Sequence, residues 1–121
     1  MKSQVKQQWV TALRSGEYTQ GQGSLRTIKG YCCLGVLCDL YAKETGTEWE
    51  VSIGDDDDDE PAYYYFYKQS SHLPESVVKW VGLESTSPSV KYTNSSIKEL
   101  AFLNDHGCTF EEIAQLIEEQ L

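Results

Sequence analysis

Residues 31–46 read YCCLGVLCDLYAKETG, and how this stretch folds decides the rest. Leu34, Leu37, Cys38 and Tyr41 recur at helical spacing with Val36 and Leu40 beside them, and Gly46 supplies a stop. That pattern predicts a mostly buried helix from about Cys32 to Lys43, because apolar residues three and four apart share one face. Immediately afterwards the period changes from helical to alternating. Trp49, Val51 and Ile53 alternate with Glu48, Glu50 and Ser52, as in a half-buried strand, and Ala62–Tyr67 has strand propensity throughout. GDDDDDEP between the two segments then serves as the turn of an antiparallel hairpin. A central helix followed by a hairpin places the chain in the α+β class.

Working outward, Val5, Trp9 and Leu13 mark an amphipathic helix over residues 3–14, closed near Gly16. On the other side, Leu73, Val77, Trp80 and Val81 mark a short helix with Pro74 in its first turn and Gly82 as its stop. Val90–Tyr92 adds a short strand after a Ser/Pro connector. Two sequences with the form of a capping box follow, Ser96 with Glu99 and Thr109 with Glu112, which predict helices to about Asp105 and from Phe110 onward, separated by Gly107. The expected architecture is a single domain over residues 1–121, with about four helices packed on a small antiparallel hairpin or sheet.

Composition narrows the function. The 121 residues carry a net charge of −9, unevenly distributed. Lys2, Lys6, Arg14, Arg26, Lys29 and Lys43 outweigh Glu17 and Asp39 in the first third, whereas Asp55–Glu60 is a continuous acidic run and the C-terminal helices are rich in glutamate. No stretch approaches the ~20 apolar residues of a membrane span, so no membrane partner is expected and the chain reads as cytoplasmic. Cys32, Cys33, Cys38 and Cys108 do not form a disulfide framework, since adjacent cysteines rarely pair and three of the four fall in the central helix. Reduced thiols follow, without a CxxC pair for zinc. Asp55–Glu60 lacks the spacing of a calcium loop and reads as a solvated turn. Neither a metal nor a cofactor is expected.

The run GEYTQGQGSLR, residues 16–26, is the candidate site. Gly21 and Gly23 allow backbone amides to turn toward an anion, Gln20 and Gln22 add side-chain amides, and Arg14, Arg26 and Lys29 supply positive charge. It is neither a Walker A loop nor a dinucleotide fingerprint. Its natural ligand is a phosphate or carboxylate, with the tyrosines of residues 63–67 available to stack a base. LNDHGCTFEEIAQLI has the outline of a helix-turn-helix, but Glu111, Glu112, Glu118 and Glu119 would face phosphates without any Lys or Arg, which argues against DNA.

WVTALRSGEYTQGQGSLR, YCCLGVLCDLY and LNDHGCTFEEIAQLIEEQL together resemble a group of small proteins encoded in tailed-phage and prophage genomes. Residues from about Thr47 to Tyr92 lie outside the likeness. The resemblance implies a viral accessory protein acting in a bacterial host cytosol. The leading expectation is a non-enzymatic binding protein that engages a host protein through its acidic surface or a small anionic, nucleotide-like ligand near Arg26. The alternatives are a metal- or thiol-dependent enzyme drawing on Cys32, Cys33, Cys38, Cys108, His72 or His106, and a structural virion component. Its oligomeric state is not set by the sequence.

Overall fold

The computed structural model describes residues 1–53, 61–93 and 96–121. The chain order is α1 (Ser3–Arg14), β1 (Arg26–Thr27), β2 (Gly30–Tyr31), α2 (Cys33–Thr45), β3 (Glu50–Ile53), β4 (Pro61–Tyr65), α3 (Glu75–Val81), β5 (Ser89–Tyr92), β6 (Ser96–Glu99), α4 (Leu100–Asp105) and α5 (Phe110–Gln120). The fold is α+β. Among the described residues its strands pair locally, as three two-stranded antiparallel sheets, β1–β2, β3–β4 and β5–β6.

α2 is the centre of the molecule. Its buried face runs from Cys33 through Leu34, Val36, Leu37 and Cys38 to Ala42, and α1, α3 and α4 pack around it. Gly46 ends the helix with φ 74°, a left-handed conformation that glycine adopts without strain. α1 contributes Val5, Trp9, Val10 and Leu13, and it lies against both α2 and α5. Trp9 is fully buried, and its indole N–H donates to the Cys33 carbonyl at 3.0 Å, so its one polar atom is satisfied in the core. α5 carries the predicted capping box, with Thr109 and Glu112 each bonding the other's backbone N–H. Phe110, Ile113, Ala114 and Ile117 form its inward stripe.

The other expected capping box does not form. Ser96–Glu99 is strand β6, in register with Ser89–Tyr92, and the helix begins only at Leu100. A partner strand already anchored by buried Val90 outcompetes the local cap, and the Glu99 carboxylate instead accepts from the Ser87 hydroxyl. In β3–β4 the register Glu50↔Tyr65, Val51↔Tyr64 and Ser52↔Tyr63 fits the alternation. Alternation alone misjudged depth here, since Val51 is 50% exposed. The acidic stretch expected to turn this hairpin lies outside the described residues.

The expected strand over residues 62–67 stops earlier. Phe66 and Gln69 exchange backbone hydrogen bonds across a two-residue turn in which Tyr67 and Lys68 have φ 49° and 67°. Two successive left-handed residues make the hairpin turn that normally takes Asn-Gly. Non-glycine residues there cost about 1–2 kcal/mol each. Lys68→Gly is therefore expected to stabilise the chain by about 1 kcal/mol, measured as a rise in Tm of a few degrees. An unchanged or lower Tm would count against stored strain at this turn.

Candidate functional site

The glycine run is a docked loop whose polar groups bond mostly within the chain. The Gly21 N–H donates to the Tyr31 carbonyl at 2.6 Å, and a Cβ at Gly21 would lie 2.9 Å from the Gly30 carbonyl carbon. The Gln20 side-chain amide donates to Asn104 Oδ1 at 2.9 Å and to the Cys108 carbonyl at 2.8 Å. Gln22 reaches the Asn104 carbonyl at 3.5 Å, and the Gly23 N–H donates to the Asp105 carboxylate at 3.0 Å. Asn104 is the hub. Fully buried, it accepts from the Cys33 N–H and donates to the Gly21 carbonyl and the Asp105 carboxylate. The anion facing the Gly23 amide is thus the protein's own.

The three cations near the run go to three places. Arg14, in the last turn of α1, spans α5 by bonding Glu118 at 2.6 Å, Glu111 at 3.2 Å and Gln115 at 2.9 Å. Lys29 sits exposed in the β1–β2 turn, beside a recess of about 390 Å³ that Gln20, Gly21, Gln22, Thr27 and Ile28 also line. Arg26 points elsewhere, into an aromatic enclosure: its guanidinium carbon lies 4.3 Å from the Tyr64 ring centroid, 5.0 Å from Tyr31 and 5.4 Å from Trp49. Of the seven residues predicted from sequence, then, Gln20, Gly21, Gln22 and Lys29 share one recess, Gly23 is tied to Asp105, and Arg14 and Arg26 lie outside that recess.

Asp39 anchors Trp49, one of the rings around Arg26, and Tyr18, which packs on another. This acid, on the buried face of α2, is 9% exposed. Its Oδ1 accepts from the Trp49 indole N–H at 3.1 Å and its Oδ2 from the Tyr18 hydroxyl at 2.7 Å. Lys43, one turn later, lies 3.5 Å from the same carboxylate, donates to Tyr18 at 3.1 Å and rides over the Tyr18 ring. Burial, reinforced by the bond to Asp39, pushes the Tyr18 phenol up to about 12, so it stays a neutral donor. Tyr31 packs edge-on against both Tyr18 and Trp49. The result is a packed aromatic wall in which the Tyr18 hydroxyl and the Trp49 indole N–H both bond Asp39.

Arg26 lines an open cleft of about 520 Å³ together with Asp39, Lys43, Glu48, Trp49 and Tyr64. Ring faces hold a guanidinium by its π surface and leave its N–H donors at the edges. Among the described residues the arginine–carboxylate pairs belong to Arg14, and Arg26 has none. A wider groove of about 800 Å³ runs between α1 and α2, lined by Gln4, Gln7, Gln8, Thr11 and Glu44, but its single cation is Lys43, already engaged by Asp39. Of the two, the Arg26 cleft is the one whose cation has no carboxylate partner among the described residues. Sequence reading found Arg26 and the tyrosine run but missed Asp39, Trp49 and Asn104. An acid in the middle of an otherwise apolar helical stretch was the available signal for Asp39, because buried acids need partners.

The four cysteines are free and buried. Burial pushes the Cys32 thiol up to about 11 and raises those of Cys33 and Cys38 as well, the opposite of what a thiolate nucleophile needs. Cys32 caps α2 through its sulfur, which accepts from the Gly35 N–H. His106 stacks on Phe102, and His72 bonds Ser71. Among the described residues no group of three His, Cys, Asp or Glu side chains is placed to hold a metal ion, and no helix is long and apolar enough to cross a membrane.

A family model described as a domain of unknown function, DUF8296, matches residues 1–121. No curated protein and no solved structure matches the chain.

Proposed function

The chain belongs to the DUF8296 family, and we propose that it is a non-enzymatic binding protein whose Arg26 cleft takes a small anionic ligand. One observation carries this reading: a guanidinium held by Tyr31, Trp49 and Tyr64 at the wall of an open cleft, with no carboxylate partner among the described residues. A half-buried arginine in that setting is a cation prepared for an incoming carboxylate or phosphate. The glycine loop's part is to set the start of β1, and with it Arg26.

Two further observations favour a small ligand over the other expected roles. The four glutamates of α5 already have partners within the chain, Glu111 and Glu118 on Arg14, Glu112 on Thr109 and Glu119 on Gln115. That weakens the reading in which an acidic α5 surface captures a host protein. Buried thiols with raised pKa weaken the thiol-enzyme reading. The resemblance to phage and prophage proteins supplies the setting, a bacterial cytosol, where such a protein would act by holding its ligand.

Arg26→Ala tests the reading. Charge-assisted hydrogen bonds are worth ~1.5–3 kcal/mol, so the variant should lose about tenfold or more in ligand affinity. Native mass spectrometry of protein recovered from bacterial lysate should show a bound small molecule on the wild type and little on the variant. Equal retention by both would place the ligand elsewhere.

A further inference from the structure

We infer that the Arg26 cleft selects an anion of single charge that carries a flat ring, in preference to a polyphosphate or a nucleic acid. This rests on the reading of the cleft given above and goes on to the class of ligand. Lys43 is committed, with Asp39 Oδ2 at 3.5 Å and the Tyr18 hydroxyl at 3.1 Å. Asp39 and Lys43 therefore neutralise one another. What remains is Arg26, with Glu48 exposed on the same lining. One negative charge can be matched on Arg26. A triphosphate would set its remaining charges against Glu48, with no second free cation among the described lining residues to hold them.

The geometry of the guanidinium agrees. Its carbon lies over the Tyr64 ring, 4.3 Å from the centroid, and the planar fork of its donors matches two oxygens of one carboxylate or one phosphodiester. The flat ring has its own partners. Trp49 is held in place through its indole N–H by Asp39, and Tyr64 lines the same cleft. Stacking of a ligand ring on such aromatics is tolerant of ring identity. The chain's net charge of −9 opposes long polyanions while costing a singly charged ligand little. The shared chemistry, a two-oxygen monoanion attached to a flat ring, is met by an aryl carboxylate and by a nucleoside phosphodiester.

Calorimetric titration of the full chain with indole-3-carboxylate, cyclic AMP, ATP and inorganic phosphate separates these. One or both of the first two should bind about tenfold or more tighter than ATP and phosphate, and which of them binds identifies the source. ATP binding as tightly as the better monoanion, with the affinity lost in Arg26→Ala, would overturn the charge selection and leave the cleft standing. No Arg26-dependent binding by any of the four would overturn the selection and the cleft together. Arg26 also packs three rings, so a second variant guards against a folding defect. Glu48→Lys, at an exposed position, supplies the missing second cation and should improve ATP relative to the monoanions by about tenfold. An unchanged ratio would contradict the inference.

Discussion

Gly35→Ala is expected to cost at least about 3 kcal/mol of stability, because the added methyl enters space already filled by backbone. A Cβ at Gly35 would stand 1.7 Å from the Leu25 carbonyl oxygen and 2.6 Å from its carbon. Neither atom can yield cheaply. Leu25 is fully buried, its N–H donates to the Ser70 carbonyl and its carbonyl accepts from Cys32. Alanine gains only about 1 kcal/mol in helix propensity over glycine, far short of the clash. The same contact fixes Leu25, the residue immediately before β1, which starts at Arg26. Chemical denaturation should show a large fall in midpoint, and any folded remainder should have an altered Arg26 environment. A midpoint within error of wild type would mean that α2 does not lie on the Leu25 carbonyl.

Asn104→Ala carries the second large effect. The side chain accepts from the Cys33 N–H and from Gln20, and it donates to the Gly21 carbonyl, all from a position with no solvent exposure. Removing it orphans the buried Cys33 N–H and the Gly21 carbonyl, each costing ~1–3 kcal/mol, for a total of roughly 3 kcal/mol or more. The glycine loop should loosen at the same time. Hydrogen exchange should accelerate at Gly21 and Gly23 beyond what the global stability change explains. A variant that keeps those amides protected would show that the loop holds without its hub.

The sequence was most informative where interactions are local. α1, α2, α3 and α5 follow from helical spacing, glycine stops and the Thr109–Glu112 box, and the β3–β4 pairing follows from alternation. Ser96–Glu99 misled because the same four residues satisfy a helix cap or a strand, and only the distant Ser89–Tyr92 segment decides. The site was legible in part for a similar reason. Arg26 stood out by charge, but its aromatic partners come from residues 31, 49 and 64, whose convergence depends on tertiary packing. The glycines stood out too, and their spacing suggested an open anion loop. In the fold they serve close backbone approach, at Gly21 beside Gly30, and a bond to Asp105.

Whether Arg26 binds the anion is read from NMR of its side-chain Nε–H while the small-molecule fraction of a bacterial lysate is added. The Trp49 indole N–H reports from the same cleft, and the Trp9 indole N–H, buried on the Cys33 carbonyl, serves as an internal control. The Arg26 and Trp49 signals should shift together while Trp9 stays in place. A shift confined to the Gly21 and Gly23 amides, or no shift at Arg26, would contradict anion binding by Arg26.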